Sequence, residues 1–158
     1  MTQTTFSDLA SELDGLGQLR TLSGAGPIAP IEKTLNFRLV EIEHGRVVFE
    51  GAPEPSVYNP MGSVHGGYTA TLLDSACGCA VQSRLEKNQG QTTVELKVSY
   101  HRAITKDSGV VRAEGKVLSM GRRVAFAEAK LIDASGRLCA SATSTLLIFP
   151  LNGRPAAD

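Results

Sequence analysis

The stretch that decides the fold is Val64-His65-Gly66-Gly67-Tyr68-Thr69-Ala70-Thr71-Leu72-Leu73-Asp74-Ser75-Ala76-Cys77-Gly78-Cys79-Ala80-Val81-Gln82-Ser83-Arg84-Leu85. It reads as one helix over residues 64–85. Tyr68, Ala70, Leu72, Leu73, Ala76, Cys77, Cys79, Ala80 and Val81 cover most of its circumference, and a helix apolar nearly all round is a buried one. Its many Ala and Gly residues let other backbone approach closely. Two features are physically odd. Gly66 and Gly67 stand at the helix start, where glycine costs helix stability. What they offer is close access to free backbone N–H groups, which with the helix dipole polarise a carbonyl or bind an anion. Asp74 interrupts the apolar helix, and a buried carboxylate is expensive unless it is paired or used.

Outward from this helix the pattern is of strands. Before it, the stretch from Lys33 to Glu43 has an imperfect strand-like alternation, His44-Gly45 is a turn, and residues 46–51 form a second strand. Residues 53–62, rich in Pro, Gly and Asn, form a loop. After it, residues 87–90 are a polar turn, and in residues 93–101 Val94, Leu96, Val98 and Tyr100 alternate with Thr93, Glu95, Lys97, Ser99 and His101, a clean period of two. Residues 109–120, 123–132 and 138–149 are three further strands, joined by turns at Gly121 and at residues 133–136. Ala125, Ala127 and Ala129 share one face, small enough for a helix to lie close. The simplest packing is an α+β domain in which a curved antiparallel sheet of about five to six strands wraps a central helix. One helix covers one face, so residues such as Val47 and Phe49 need other cover, which points to oligomers.

The 158 residues are read as a single domain: a helical extension over 1–30, a core over 31–150 and a tail over 151–158. Ser7-Asp8 caps the first helix, which carries Leu9, Leu13, Leu16 and Leu19, lies at the periphery, and ends at Gly24, Gly26, Pro27 and Pro30. Charged residues make up 20% and the AVILMFWYC set 42%, with 16 Lys+Arg against 16 Asp+Glu. That balance favours a soluble globular protein and gives no reason to expect nucleic acid or an acidic membrane as partner. Residues 1–10 lack the charge and the apolar run of a signal peptide, and no apolar run approaches the ~20 residues that span a bilayer, so the cytoplasm is the expected location. Cys77, Cys79 and Cys139 have no framework spacing and read as small core residues.

Spacing constrains how the odd residues cooperate. His65 and Asp74 lie about 13 Å apart along a helix, on roughly opposite sides; Gly67 and Asp74 share a face but lie about 10 Å apart. A compact site joining Gly67 and Asp74 therefore needs two copies of the helix, as a two-fold dimer supplies. Each residue also has a plainer reading. Asp74 can pair with Arg84 or Arg38, His65 can cap the helix, and Asn59 can be a turn residue.

Taken together, Asn59-x5-His65-Gly66-Gly67-x6-Asp74 resembles the motif of hotdog-fold acyl-CoA thioesterases of the phenylacetate-degradation (PaaI-like) type, with the likeness running over residues 33–149. The resemblance implies hydrolysis of an acyl-CoA thioester to free acid and CoA, in a homo-oligomer (dimer or dimer of dimers) with sites between subunits. By the same resemblance Asp74 is the catalytic carboxylate, Gly67 the N–H that polarises the carbonyl, His65 and Asn59 orient thioester and water, and Thr93 helps place water, with Thr92 a rival. Chemically, Asp74 can act as general base or nucleophile. A backbone N–H is a natural oxyanion donor, and a thiolate leaves with little acid assistance. No metal or cofactor is required, CoA being part of the substrate. Gly66 and Ser75 are further expected substrate contacts, and Arg102, Gly121, Arg122 and Arg123 are candidates for binding the CoA phosphates. Alternatives are a non-catalytic acyl-CoA-binding protein and a hotdog dehydratase or hydratase. Chemistry at Cys77 or Cys139 ranks last, since no base is placed beside either.

Overall fold

The computed structural model describes residues 4–151. Three short helices come first: α1 (Phe6–Leu9), α2 (Gly15–Ala25) and α3 (Pro30–Leu35). Strands β1 (Phe37–Glu43) and β2 (Arg46–Gly51) precede the long helix α4 (Gly66–Gln82). Four strands follow: β3 (Gln89–Tyr100), β4 (Val111–Met120), β5 (Val124–Ile132) and β6 (Leu138–Pro150). They form one six-stranded antiparallel sheet in the order β1-β2-β4-β5-β6-β3, so β1 and β3 are its edges.

Helix α4 lies across one face of this sheet, as its all-round apolar sequence requires. Leu72, Leu73, Ala76 and Ala80 are fully buried against Val47, Phe49 and Leu146. Small residues set the helix–sheet distance: Ala113, Ala125, Ala127 and Ala129 are all buried. A Cβ at Gly115 would stand 2.2 Å from the Ala76 carbonyl oxygen, so helix backbone and strand backbone are almost in contact there.

Two expectations are corrected. The N-terminal segment is not one peripheral helix capped by Ser7-Asp8. Thr5 caps α1, with Asp8 returning the bond to its backbone, and Asp14 caps a separate α2 by accepting from the Gly17 N–H at 2.8 Å. Leu19 of α2 is fully buried, Gln82 Nε2 donates to Gln18 Oε1 at 2.8 Å, and the Gly15 N–H donates to the Leu85 carbonyl at 2.9 Å. The extension is thus locked to α4. It also runs past residue 30, because Pro30 opens α3 instead of ending a helix.

The second correction concerns β3. Its pairing with β6 carries a bulge between Thr93 and Glu95. The extra residue, Val94, is turned out and 59% exposed, and side-chain parity reverses across it. Gln91 and Thr93 before the bulge face α4, as do Leu96, Val98 and Tyr100 after it. The uninterrupted alternation read from the sequence fails at that residue.

Candidate functional site

Helix α4 carries two clusters at different points along its length. The first is at its N-terminus. The preceding loop is organised by Asn59, whose Oδ1 accepts from the Met61 and Ser63 N–H groups at 2.9 and 3.3 Å, while its Nδ2 donates to Ser63 Oγ at 3.0 Å. His65 caps the helix: its Nδ1 accepts from the Gly67 N–H at 2.8 Å. This overturns the expectation of a free Gly67 N–H, because the histidine cap has taken that donor. The Gly66 N–H, one residue earlier, has no hydrogen bond among the described residues.

Tyr100, which the sequence reading passed over as one member of an alternating strand, holds this end in place. Its hydroxyl donates to the Gly66 carbonyl at 2.9 Å, and its ring lies where a Gly66 side chain would be, 3.1 Å from such a Cβ. Asn59, His65, Gly66, Gly67, Tyr100 and Arg102 line a cavity of about 530 Å³.

The second cluster lies two turns further along α4. Asp74 and Ser75 are half-buried. Thr93 Oγ1 donates to Asp74 Oδ1 at 3.0 Å, whereas Thr92 points outward and is exposed. Asp74 makes no ion pair among the described residues. Arg38 instead meets Glu50, in a network of Arg46, Arg112, Glu41 and Glu114 on the outer face of β1, β2 and β4, and Arg84 packs over Gly45. The carboxylate therefore keeps Oδ2 available. Asp74, Ser75 and Thr93 line a separate cavity of about 200 Å³, walled by Phe6, Phe37, Phe49 and Glu32.

Other candidates divide between these places. Arg102 is exposed at the Gly66 cavity. Gly121, Arg122 and Arg123 form the exposed β4–β5 hairpin, whose Arg123 carbonyl accepts from the Ile148 N–H; they line neither cavity. The cysteines are buried. Burial, with Asp74 nearby, pushes the Cys77 thiol up to about 12, and burial raises Cys79 and Cys139 as well, so none has thiolate character. Among the described residues no group of three or more His, Cys, Asp and Glu is arranged to hold a metal ion, and no helix is long and apolar enough to cross a membrane.

A six-stranded antiparallel sheet wrapped on one long helix is the hotdog fold of the thioesterases. The model of the Thioesterase superfamily matches residues 61–140, and the chain belongs to that superfamily. The proofreading thioesterase EntH of Klebsiella pneumoniae is 30% identical over 124 residues, covering 76% of this chain and 89% of that one. Human acyl-coenzyme A thioesterase 13 is 30% identical over 108 residues, covering 68% and 76%. Among solved structures, a thioesterase family protein of Silicibacter pomeroyi superposes with a TM-score of 0.76 at 27% identity, over 86% of this chain and 98% of that one. The protein is a thioester hydrolase.

Proposed function

We propose that the protein hydrolyses an acyl-CoA thioester to the free acid and CoA, at sites completed across a two-fold dimer. One observation carries the reading. The carboxylate and the free helix N-terminus stand on the same helix but line separate cavities, which supports reading each as half of one site. Strand β3 offers the means of joining them. It is an edge of the sheet, and its outer side is open along the strand. Antiparallel pairing of two β3 edges, centred between Leu96 and Lys97, sets Tyr100 of one copy opposite Thr93 of the other. The Gly66 terminus of one subunit then faces Asp74 of its partner. Arg102 from one copy and Arg122-Arg123 from the other flank the site for the CoA phosphates.

In the reaction the Gly66 N–H, in the place first assigned to Gly67, receives the thioester oxygen and holds the oxyanion. Asp74 either takes a proton from the attacking water or attacks the carbonyl itself, with Thr93 fixing Oδ1 so that Oδ2 faces the substrate. The C–S bond breaks, CoA departs as a thiolate that needs little acid assistance, and where Asp74 made the attack water then hydrolyses the acyl–Asp74 anhydride to the free acid and restores the carboxylate.

The test is thiol release from a panel of aromatic and aliphatic acyl-CoAs by wild type and Asp74→Asn. Wild type should release CoA, and the variant should be slower by roughly 10²-fold or more. Near-normal turnover by Asp74→Asn removes the carboxylate from the mechanism. No release from any substrate, with binding retained, makes the protein an acyl-CoA binder.

A further inference from the structure

Only two buried side-chain polar atoms lack a hydrogen-bond partner among the described residues: Glu32 Oε1 and Tyr68 Oη. The tyrosine hydroxyl lies against the Gly51 backbone, away from either half-site, and a neutral phenol is tolerable there. Glu32 is different. It is 3% exposed, on α3, and it lines the same small cavity as Asp74, Ser75 and Thr93. Its other oxygen, Oε2, accepts from the Ile28 N–H at 3.3 Å, which ties down one side of the carboxyl. No lysine or arginine lines the cavity, and no ion pair to Glu32 is present among the described residues. The rest of the lining is largely apolar, with Phe6, Ile28, Phe37 and Phe49, and its one side-chain amide, Gln91, donates to the Gly78 carbonyl at 3.4 Å.

A carboxyl held in such a place costs stability unless something donates to it. None of the described residues donates to Oε1, so a group entering the cavity meets an acceptor that is still free. At about 200 Å³ this cavity is smaller than the roughly 300–1,000 Å³ that takes a drug-sized ligand, so it suits a compact group and not a long chain.

We propose that Glu32 is the residue that reads the acyl group, its free Oε1 accepting a hydrogen bond from a hydroxyl at the far end of a compact acyl chain whose thioester lies at Asp74. This rests on the hydrolase reading above and adds to it a substrate class, acyl groups with a distal hydroxyl donor. Asp74 and Glu32 line the same cavity, and Phe6, Phe37 and Phe49 are in its wall.

The experiment compares matched pairs, benzoyl-CoA with 4-hydroxybenzoyl-CoA and hexanoyl-CoA with 6-hydroxyhexanoyl-CoA, on wild type, Glu32→Gln and Glu32→Leu. Thermal melts confirm that the variants fold. Wild type should favour the hydroxylated member of at least one pair by roughly tenfold or more in kcat/KM. That ratio should shrink in Glu32→Gln and fall to unity or below in Glu32→Leu. The same ratio is read as Kd by calorimetry on Asp74→Asn, with and without the Glu32→Leu change, so absent turnover counts against the hydrolase reading alone. No hydroxyl preference in wild type, or the same preference in Glu32→Leu, overturns the proposal and leaves Oε1 to solvent.

Discussion

Thr93 Oγ1 donates to Asp74 Oδ1 at 3.0 Å, and it faces α4 on the same side as Leu96 and Val98 only because β3 carries an extra residue at Val94. Without that bulge, Thr93 and Leu96 would point to opposite faces of the sheet, as period two demands. The bulge turns an apolar residue out and lets a threonine in where the carboxylate needs a donor. Thr93→Val keeps the shape and removes the hydroxyl. It should lower kcat by roughly tenfold, with a smaller change in KM, because the carboxylate loses the bond that orients it. Thr93→Ser should retain most activity. Steady-state kinetics on both variants checks this.

That bulge also marks where the sequence stopped being legible. The long helix, the two strands before it and four after it all follow from periodicity, since burial imposes a 3.6 period or a period of two. The small residues at 125, 127 and 129 announced the close helix–sheet packing. A bulge, by contrast, leaves composition untouched and only shifts register, so nothing about Val94 distinguishes it from Val98. That the Gly67 N–H is engaged was hidden for a related reason. Which N–H at a helix start stays free depends on which one the cap takes, and His65 takes the second. Glu32 was hidden because Gly26, Pro27 and Pro30 read as a break, while the chain in fact opens a new helix with Pro30 at its first position.

The helix–sheet contact at Gly115 should be intolerant of a single carbon. Its Cβ would stand 2.2 Å from the Ala76 carbonyl oxygen, and the obstacle is backbone that cannot rotate aside. Gly115→Ala must lift α4 from β4. Overpacking of this kind costs about 1–3 kcal/mol, and because Asp74 lies two residues before Ala76, activity should fall too. Chemical denaturation of wild type and variant gives the stability difference, with an unchanged midpoint as the contrary result.

Burial raises the Glu32 carboxyl from its ordinary 4.5 to about 7, and the Ile28 N–H offsets this only in part. The ionisable groups sharing its cavity, Asp74 and Cys79, carry negative charge when ionised and give no compensation. In the unfolded chain Glu32 ionises near 4.5, whereas in the folded protein it holds its proton longer. Stability contributed by the neutral carboxyl is therefore present below pH 4.5 and is lost as pH rises through about 7. The loss should be on the order of 2 kcal/mol. Glu32→Gln cannot ionise, so between pH 5 and pH 8 the stability of wild type should decline relative to the variant. Denaturant titrations at the two pH values measure it, and parallel behaviour of the two proteins would contradict it.

The division of the site between two subunits can be tested by complementation. Gly66→Pro deletes the one N–H proposed to hold the oxyanion. The substitution suits the backbone: proline is favoured at the first position of a helix, and His65 before it, at φ −63° and ψ 136°, already has the extended geometry a following proline requires. Its ring meets Tyr100, which must give by a few tenths of an ångström. Loss of one oxyanion donor should lower kcat by roughly 10²–10³-fold. Asp74→Asn disables the other half. Unfolded, mixed in equal amounts and refolded together, the two variants should pair at random, so about half of the dimers are hybrids. Each hybrid has one site carrying both defects and one site carrying neither. Activity should therefore return to roughly a quarter of wild type from two nearly inactive parents. A site contained within one chain predicts no recovery at all, and that result would end the shared-site reading while leaving the role of Asp74 intact.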